Sequence, residues 1–234
     1  AALSCLAAVD LGLESRENAV ERLAGMLDTL ERMEKWRGNL FNWYHTITLK
    51  PMEPRVVSSV DSGNLCACLF ALAAGLEEWG RKDLARRARG AELGALYDPD
   101  KHLFYISYEP DSGNWSASHY DLMASEARLL SYIALAQGQV EHRHWAALSR
   151  AQASAHGYQG MVSWFGTMFE YFMPHLLLPL PEDSFLYESL AFCACEQLSF
   201  GRERAIPWGV SESAVPALDQ NGCYGYRANG VPAI

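Results

Sequence analysis

The sequence has no stretch of concentrated positive charge. Its 234 residues carry 19 Lys and Arg against 28 Asp and Glu, a net charge of −9, so no nucleic-acid partner is expected. It has no G-x-S-x-G, no G-x-x-x-x-G-K-[ST], no dinucleotide fingerprint and no H-E-x-x-H, which removes the common serine-hydrolase, nucleotide and zinc-protease signatures. His142 and His144, in EHRHW, have no carboxylates or cysteines converging on them in sequence and read as surface residues. The six cysteines are Cys5, Cys66, Cys68, Cys193, Cys195 and Cys223. Four of them form two C-A-C pairs in helical patterns, where side chains two apart diverge by roughly 200° and do not converge on one ion. They read as small buried hydrophobes in a reducing compartment. No metal and no cofactor is expected.

The N-terminal stretch AALSCLAAVDLGLESRE has no basic leader and no clear cleavage site, so a signal peptide is not expected. The longest apolar run, residues 161–180, has roughly the length of a membrane span. Glu170 interrupts it, with Pro174 and His175 following, so a buried or cleft-lining segment is expected. The absence of an initiator Met and the ending GVPAI read as a piece of a larger domain.

What is present is mostly helical periodicity. Half the residues are hydrophobic, enough for the core of one domain over 1–234. The pattern predicts helices over 2–11 and 16–35, a buried helix over 62–79, and a basic amphipathic helix over 81–96. Further helices are predicted over about 118–137 and 184–204. LFYISYEPDSGNW (103–115) alternates and turns at PDSG, a small hairpin. Helices in consecutive pairs with little strand predict an all-α, α/α architecture, with long aromatic-rich loops at one end.

Three carboxylates sit in apolar or aromatic company. On the predicted helix over 118–137, Glu126 falls in the middle of a face made by Leu122, Met123, Leu129, Leu130 and Ile133, with Asp121, Arg128 and Ser131 opposite. A buried carboxylate pairs, raises its pKa or faces a cavity. An ion pair with Arg55 or Arg204 and a general acid of raised pKa are both open readings. Glu170, in WFGTMFEYFMP, is either a site residue or a cap bonding loop backbone. Glu212, in PWGVSESA, is either a catalytic loop residue or an exposed turn glutamate. Asp61, in VSSVDSGNL, is either a site residue or an N-cap.

Trp43, Tyr44, Trp115, Tyr120, Trp164, Phe169, Tyr171, Trp208, Tyr224 and Tyr226 gather in or beside loops. One such ring anchors a loop. A set of them beside carboxylates suits stacking on sugar rings.

Five stretches occur in order: FNWYHTITLKPMEPRVVSSVDSGNL, YDLMASEARLLSYIALAQG, SWFGTMFEYFMP, GRERAIPWGVSES and YRANGVPAI. Together, over nearly the whole chain, they resemble the glycoamylase-like domain of cyclic β-1,2-glucan synthases, related to β-1,2-glucanases. The resemblance implies an (α/α)6 toroid, of which this chain would be an incomplete, N-terminal part. It implies a retaining transglycosylase that cyclises linear β-1,2-glucan, with β-1,2-glucan hydrolysis or glucan holding as alternatives. Carried over by position, Glu126 would be the acid/base and Glu212 the nucleophile. Asp61 and Glu170 would line sugar subsites with Trp43, Tyr44, Tyr120, Trp164, Tyr171 and Trp208. The partners implied are β-1,2-glucan and the other domains of a parent synthase. The segment itself would not enter the membrane, and would lie on the cytoplasmic side of the bacterial inner membrane through that parent.

Overall fold

The computed structural model describes residues 1–218, 220, 222, 224–232 and 234; Asp219, Asn221, Cys223 and Ala233 lie outside the described residues. The chain forms two compact units. Unit 1 is Ala1–His119 with Leu130–His142, and unit 2 is Tyr120–Leu129 with Arg143–Ile234.

Unit 1 is built on three helices, α1 (Ala2–Asp10), α2 (Arg16–Arg32) and α3 (Ser59–Glu78). Helix α2 begins where Ser15 accepts from Asn18 N–H. Helix α3 begins where Ser58, not Asp61, supplies the capping oxygen, at 3.3 Å from Asp61 N. Asp61 lies in the first turn, where a negative charge complements the helix dipole. Leu23 and Leu27 of α2 pack with Leu69, Leu72 and Leu76 of α3. Among the described residues, α3 is the one helix long and apolar enough to cross a membrane, and nearly half of it is buried in the fold.

The predicted helix over 81–96 is only α4 (Lys82–Ala85), followed by turns and a 3-10 turn at Leu93–Leu96. Cys66 Sγ accepts from Ala91 N at 3.1 Å, and Gln139 Oε1 from Gly94 N at 2.9 Å. Tertiary partners thus take the backbone groups that a helix would use.

Strands are more numerous than the all-α reading predicts. Five small antiparallel sheets occur among the described residues. In unit 1, Ser107–Glu109 pairs with Asn114–Trp115 across the PDSG turn, and with Val57–Ser58 on its other edge. Tyr105 and Tyr108 each pack against Trp115, with ring centroids 4.6 and 4.2 Å apart.

The predicted helix over 118–137 is α5 (Arg128–Ala136). Residues 121–123 are extended instead. Asp121 O accepts from Ser149 N, and Met123 N donates to Ser149 O, at 2.7 and 2.9 Å. These bonds hold the segment out of the helix. The chain turns at Ser125, whose hydroxyl accepts from Ala127 N and whose carbonyl accepts from Arg128 N. Arg128 and Ser131, placed by periodicity on a polar face, are buried.

Helix α5 meets α3 at Gly63. A Cβ there would lie 2.4 Å from Leu130 Cβ and 2.6 Å from its Cα. Gly63→Ala is expected to destabilise by about 2 kcal/mol, overpacking outweighing the gain in helix propensity. The check is thermal unfolding, with a Tm fall of roughly 5 °C.

Unit 2 holds α6 (Arg143–Ala147), α7 (Met168–Phe172) and α8 (Phe185–Arg204), with hairpins Gln152–Ala155/Tyr158–Met161 and Glu212–Leu218/Tyr224–Ala228. The apolar run 161–180 is not one helix: α7 ends at Phe172 and a 3-10 turn follows at Pro174–Leu176. Ser184 caps α8, accepting from Tyr187 N. Contrary to the surface reading, His144 is fully buried.

Candidate active site

Unit 2 gathers Glu126, Glu170 and Glu212. Glu126 lies in the turn before α5, so a local turn rather than a helix face positions it. It is partly buried, and its pKa is pushed up to about 7, first by burial and then by the charges of Glu170 and Glu212. Its own backbone N–H and the Ser125 hydroxyl, 3.2 Å away, pull in the opposite direction. The ion-pair reading is not realised. Arg55 of unit 1 pairs with Glu34 and Asp111, and Arg204 sits over the Phe200 ring.

Glu170 is 3% exposed. One carboxylate oxygen accepts from Trp164 N and Phe165 N, at 3.0 and 3.2 Å. The other accepts from Ser163 Oγ, Thr167 N and Thr167 Oγ1, at 2.8–3.0 Å. Thr167 accepts in turn from Glu170 N, closing a capping box on α7. With both oxygens taken by its own loop, Glu170 braces that loop and offers nothing to a sugar, which corrects the subsite reading. The pattern T-x-x-E at Thr167–Glu170 carries this signal in the sequence.

Glu212 opens the last hairpin, and Tyr226 donates its hydroxyl to Glu212 Oε2. Burial, then the Glu170 charge, raise its pKa. Its position is tied to the Glu170 loop by Gln197, a residue that sequence reasoning missed. Gln197 is fully buried on α8. Its amide donates to Gly166 O and Val210 O and accepts from Val210 N, at 2.7–2.9 Å. Val210 O also accepts from Met168 N, and Ser211 Oγ from Phe169 N. Residues 210 and 211 are therefore fastened to the start of α7 just before Glu212. The same loop receives the C-terminal Asn229-Gly230-Val231. A Cβ on Gly230 would lie 1.8 Å from Phe165 O, so only glycine allows this approach.

The aromatics divide. Trp164 is 39% exposed, its indole N–H donates to Asp121 Oδ1 at 2.9 Å, and it stacks on Tyr120 with centroids 5.5 Å apart at 11°. Tyr120 is buried behind it and supports the ring rather than lining a subsite. Tyr171 is also a correction: it is 1% exposed, and its hydroxyl donates to Met161 O at 2.7 Å. Trp208 is exposed. In unit 1, Trp43 and Asp61 are exposed. Tyr44 ties its own loop together, accepting from Phe41 N and donating to Glu34 O.

Unit 2 thus holds a carboxyl with a pKa near neutrality, a second carboxylate whose charge reaches it and an exposed indole. The chain is homologous to a stretch of a cyclic β-1,2-glucan synthase. That relative, cyclic β-(1,2)-glucan synthase NdvB of Rhizobium meliloti, is 26% identical over 363 residues, covering 99% of this chain and 13% of the synthase. The alignment is longer than this chain, so the synthase carries segments within it that have no counterpart here. An endo-β-1,2-glucanase from Chitinophaga pinensis, solved with sophorotriose and glucose, shares the fold with a TM-score of 0.75 and 18% identity, over 99% of this chain and 62% of its own. An endo-β-1,2-glucanase from Talaromyces funiculosus, solved with sophorose, matches with a TM-score of 0.74 and 13% identity, over 93% of this chain and 52% of its own. No protein-family model matches the chain.

Proposed function

We propose that this chain acts on β-1,2-glucan as a retaining transglycosylase that closes linear chains into rings. The observation that carries the proposal is Glu126: partly buried, unpaired by any arginine among the described residues, and with a pKa near 7. The homology to a cyclic β-1,2-glucan synthase and the fold shared with endo-β-1,2-glucanases supply the substrate class. The fold shared with endo-β-1,2-glucanases supports reading the chain as part of an (α/α) toroid.

In this reading Glu126 donates its proton to the glycosidic oxygen as the bond breaks. Glu212 attacks the anomeric carbon and forms a glycosyl ester. Glu126, now ionised, takes a proton from the chain's own terminal hydroxyl, which displaces Glu212 and keeps the anomeric configuration. The Tyr226 hydrogen bond stabilises the ionised Glu212 before attack and after release. Trp164 stacks on a sugar ring, its orientation held by Asp121 and Tyr120. Trp208 serves a further sugar subsite of unit 2, and Trp43, Tyr44 and Asp61 are glucan contacts of unit 1 taken by itself. The other domains of a parent synthase are partners, and that parent holds this segment on the cytoplasmic side of the inner membrane.

Hydrolysis is the second reading, favoured by the endo-β-1,2-glucanases that share the fold. The test is mass spectrometry of linear β-1,2-glucooligosaccharides incubated with the chain. Products one water lighter than a linear chain support cyclising transfer. Short linear products alone mean hydrolysis, binding without turnover means glucan holding, and no binding overturns the proposal.

Trp164→Ala is expected to weaken glucan binding ~10-fold, the value of one aromatic stacking contact of about 1–1.5 kcal/mol. Calorimetric titration with a β-1,2-glucooligosaccharide measures it, and unchanged affinity would remove Trp164 from the subsites.

A further inference from the structure

The hairpin Gln152–Ala155/Tyr158–Met161 turns on His156 and Gly157, with φ of 51° and 83°. Two left-handed residues in a two-residue turn match the right-handed twist of the strands. The hairpin lies close against α8. A Cβ on Gly160 would be 2.5 Å from Phe192 Cδ1, and Met161 N donates to Ser189 Oγ at 3.0 Å. Ser189, Phe192, Cys193 and Glu196 recur at helical spacing on the buried face of α8. The turn therefore delivers His156 to the next position along that face, where Glu196 lies.

Glu196 is 3% exposed in the middle of a helix. Its Oε1 meets His156 Nδ1 at 2.7 Å. Cys195, its neighbour, is partly exposed and carries a free thiol. One ligand atom from each of His156, Cys195 and Glu196 lies within 4.8 Å of the other two. A sulfur, an imidazole nitrogen and a carboxylate oxygen converge, although their residues are 39–40 positions apart in pairs or adjacent on a helix. Burying a carboxylate in a helix face is costly unless a charged partner meets it.

We propose that His156, Cys195 and Glu196 form a binding site for a thiophilic divalent transition-metal ion of the zinc class, joining the hairpin to α8. Thiolate, imidazole and carboxylate are each zinc ligands, and a site with three protein ligands leaves a fourth position for water. Ligand atoms about 2.0–2.3 Å from a tetrahedral ion stand roughly 3.3–3.7 Å apart, so the site forms by a shift of about an ångström between His156 and Glu196. The His156 side chain is half exposed, which opens a path for the ion. Binding exchanges protons for metal: the Cys195 thiol proton leaves to solvent, as does any proton that His156 shares with Glu196. The strand that follows His156 ends at Met161, two residues before Ser163, so the ion would anchor the hairpin that leads into the Glu170 loop. The site is independent of the proposed glucan chemistry.

The experiment is equilibrium dialysis of the reduced full chain against Zn2+ near neutral pH, with Co2+ as the spectroscopic probe. One ion per chain is expected, and Co2+ should give a thiolate-to-metal charge-transfer band. Cys195→Ser and His156→Asn should each weaken binding at least ~100-fold, since losing even an outer partner of a ligand costs 10–100-fold. Asparagine tolerates the left-handed backbone of His156 and preserves the turn. Absence of saturable binding, or binding that survives either substitution undiminished, overturns the proposal. Co2+ binding without the charge-transfer band also overturns it, and needs no variant.

Discussion

Glu126→Gln is expected to cut turnover of β-1,2-glucan ~1,000-fold while leaving binding within a few-fold, the effect of removing a general acid. Glutamine preserves the shape and can still meet the Ser125 hydroxyl, but has no proton to give. The same carboxyl sets a pH limit: the donor must be protonated, so the rate of the parent chain should fall as pH rises through about 7. The residue also couples to stability. Its folded pKa, about 7, lies above its ordinary value of 4.5, so the folded state holds the proton more tightly. That contribution is fully present below 4.5, is lost as pH rises toward 7, and is absent above. The shift corresponds to about 3 kcal/mol. Glu126→Gln should therefore flatten this dependence and be more stable than the parent at pH 8. Chemical denaturation at pH 5 and pH 8, for both proteins, measures it. Parallel pH dependence in the two would mean that Glu126 titrates as an ordinary carboxylate.

Glu170→Ala is expected to be the most destabilising single substitution in unit 2. It strips three backbone N–H groups and two hydroxyls of a charged acceptor. Hydrogen bonds to charged groups contribute about 1.5–3 kcal/mol each, and buried donors left without partners carry a further penalty. Part of that loss is recovered by water and relaxation, leaving about 4 kcal/mol, or a fall in Tm of roughly 10 °C. A sugar-lining residue would behave in the opposite way, with weaker glucan binding at an unchanged Tm. Differential scanning calorimetry beside a binding titration separates the two roles.

Much of the helical frame was legible because it rests on local chemistry. Ser15 and Ser184 cap α2 and α8 where the periodicity begins, and the PDSG turn makes its hairpin in unit 1. The helices that periodicity predicts over 81–96 and 118–137 are longer than those that form, for one reason. Backbone groups there bond to distant partners, Cys66, Gln139 and Ser149, which periodicity does not register. The helical wheel that singles out Glu126 does not hold around it, because α5 begins only at Arg128. What survives is the chemistry: burial raises the pKa of Glu126 although a turn, not a helix face, places it.

The aromatics show the same division. Sequence alone marked Tyr120, Trp164 and Tyr171 as equals, since each sits in a loop beside a carboxylate. Packing separated them, burying Tyr171, placing Tyr120 behind Trp164 and leaving Trp164 exposed. Residue type and order determined that this chain sets carboxylates among loop aromatics, and that its motifs resemble those of cyclic β-1,2-glucan synthases. Only the tertiary structure decided which carboxylate is held by five donors, which is left with a raised pKa, and that His156 meets Glu196 across 40 residues. Those outcomes depend on burial and on which hydrogen-bond partners come within 3 Å, and neither quantity exists until the chain has folded.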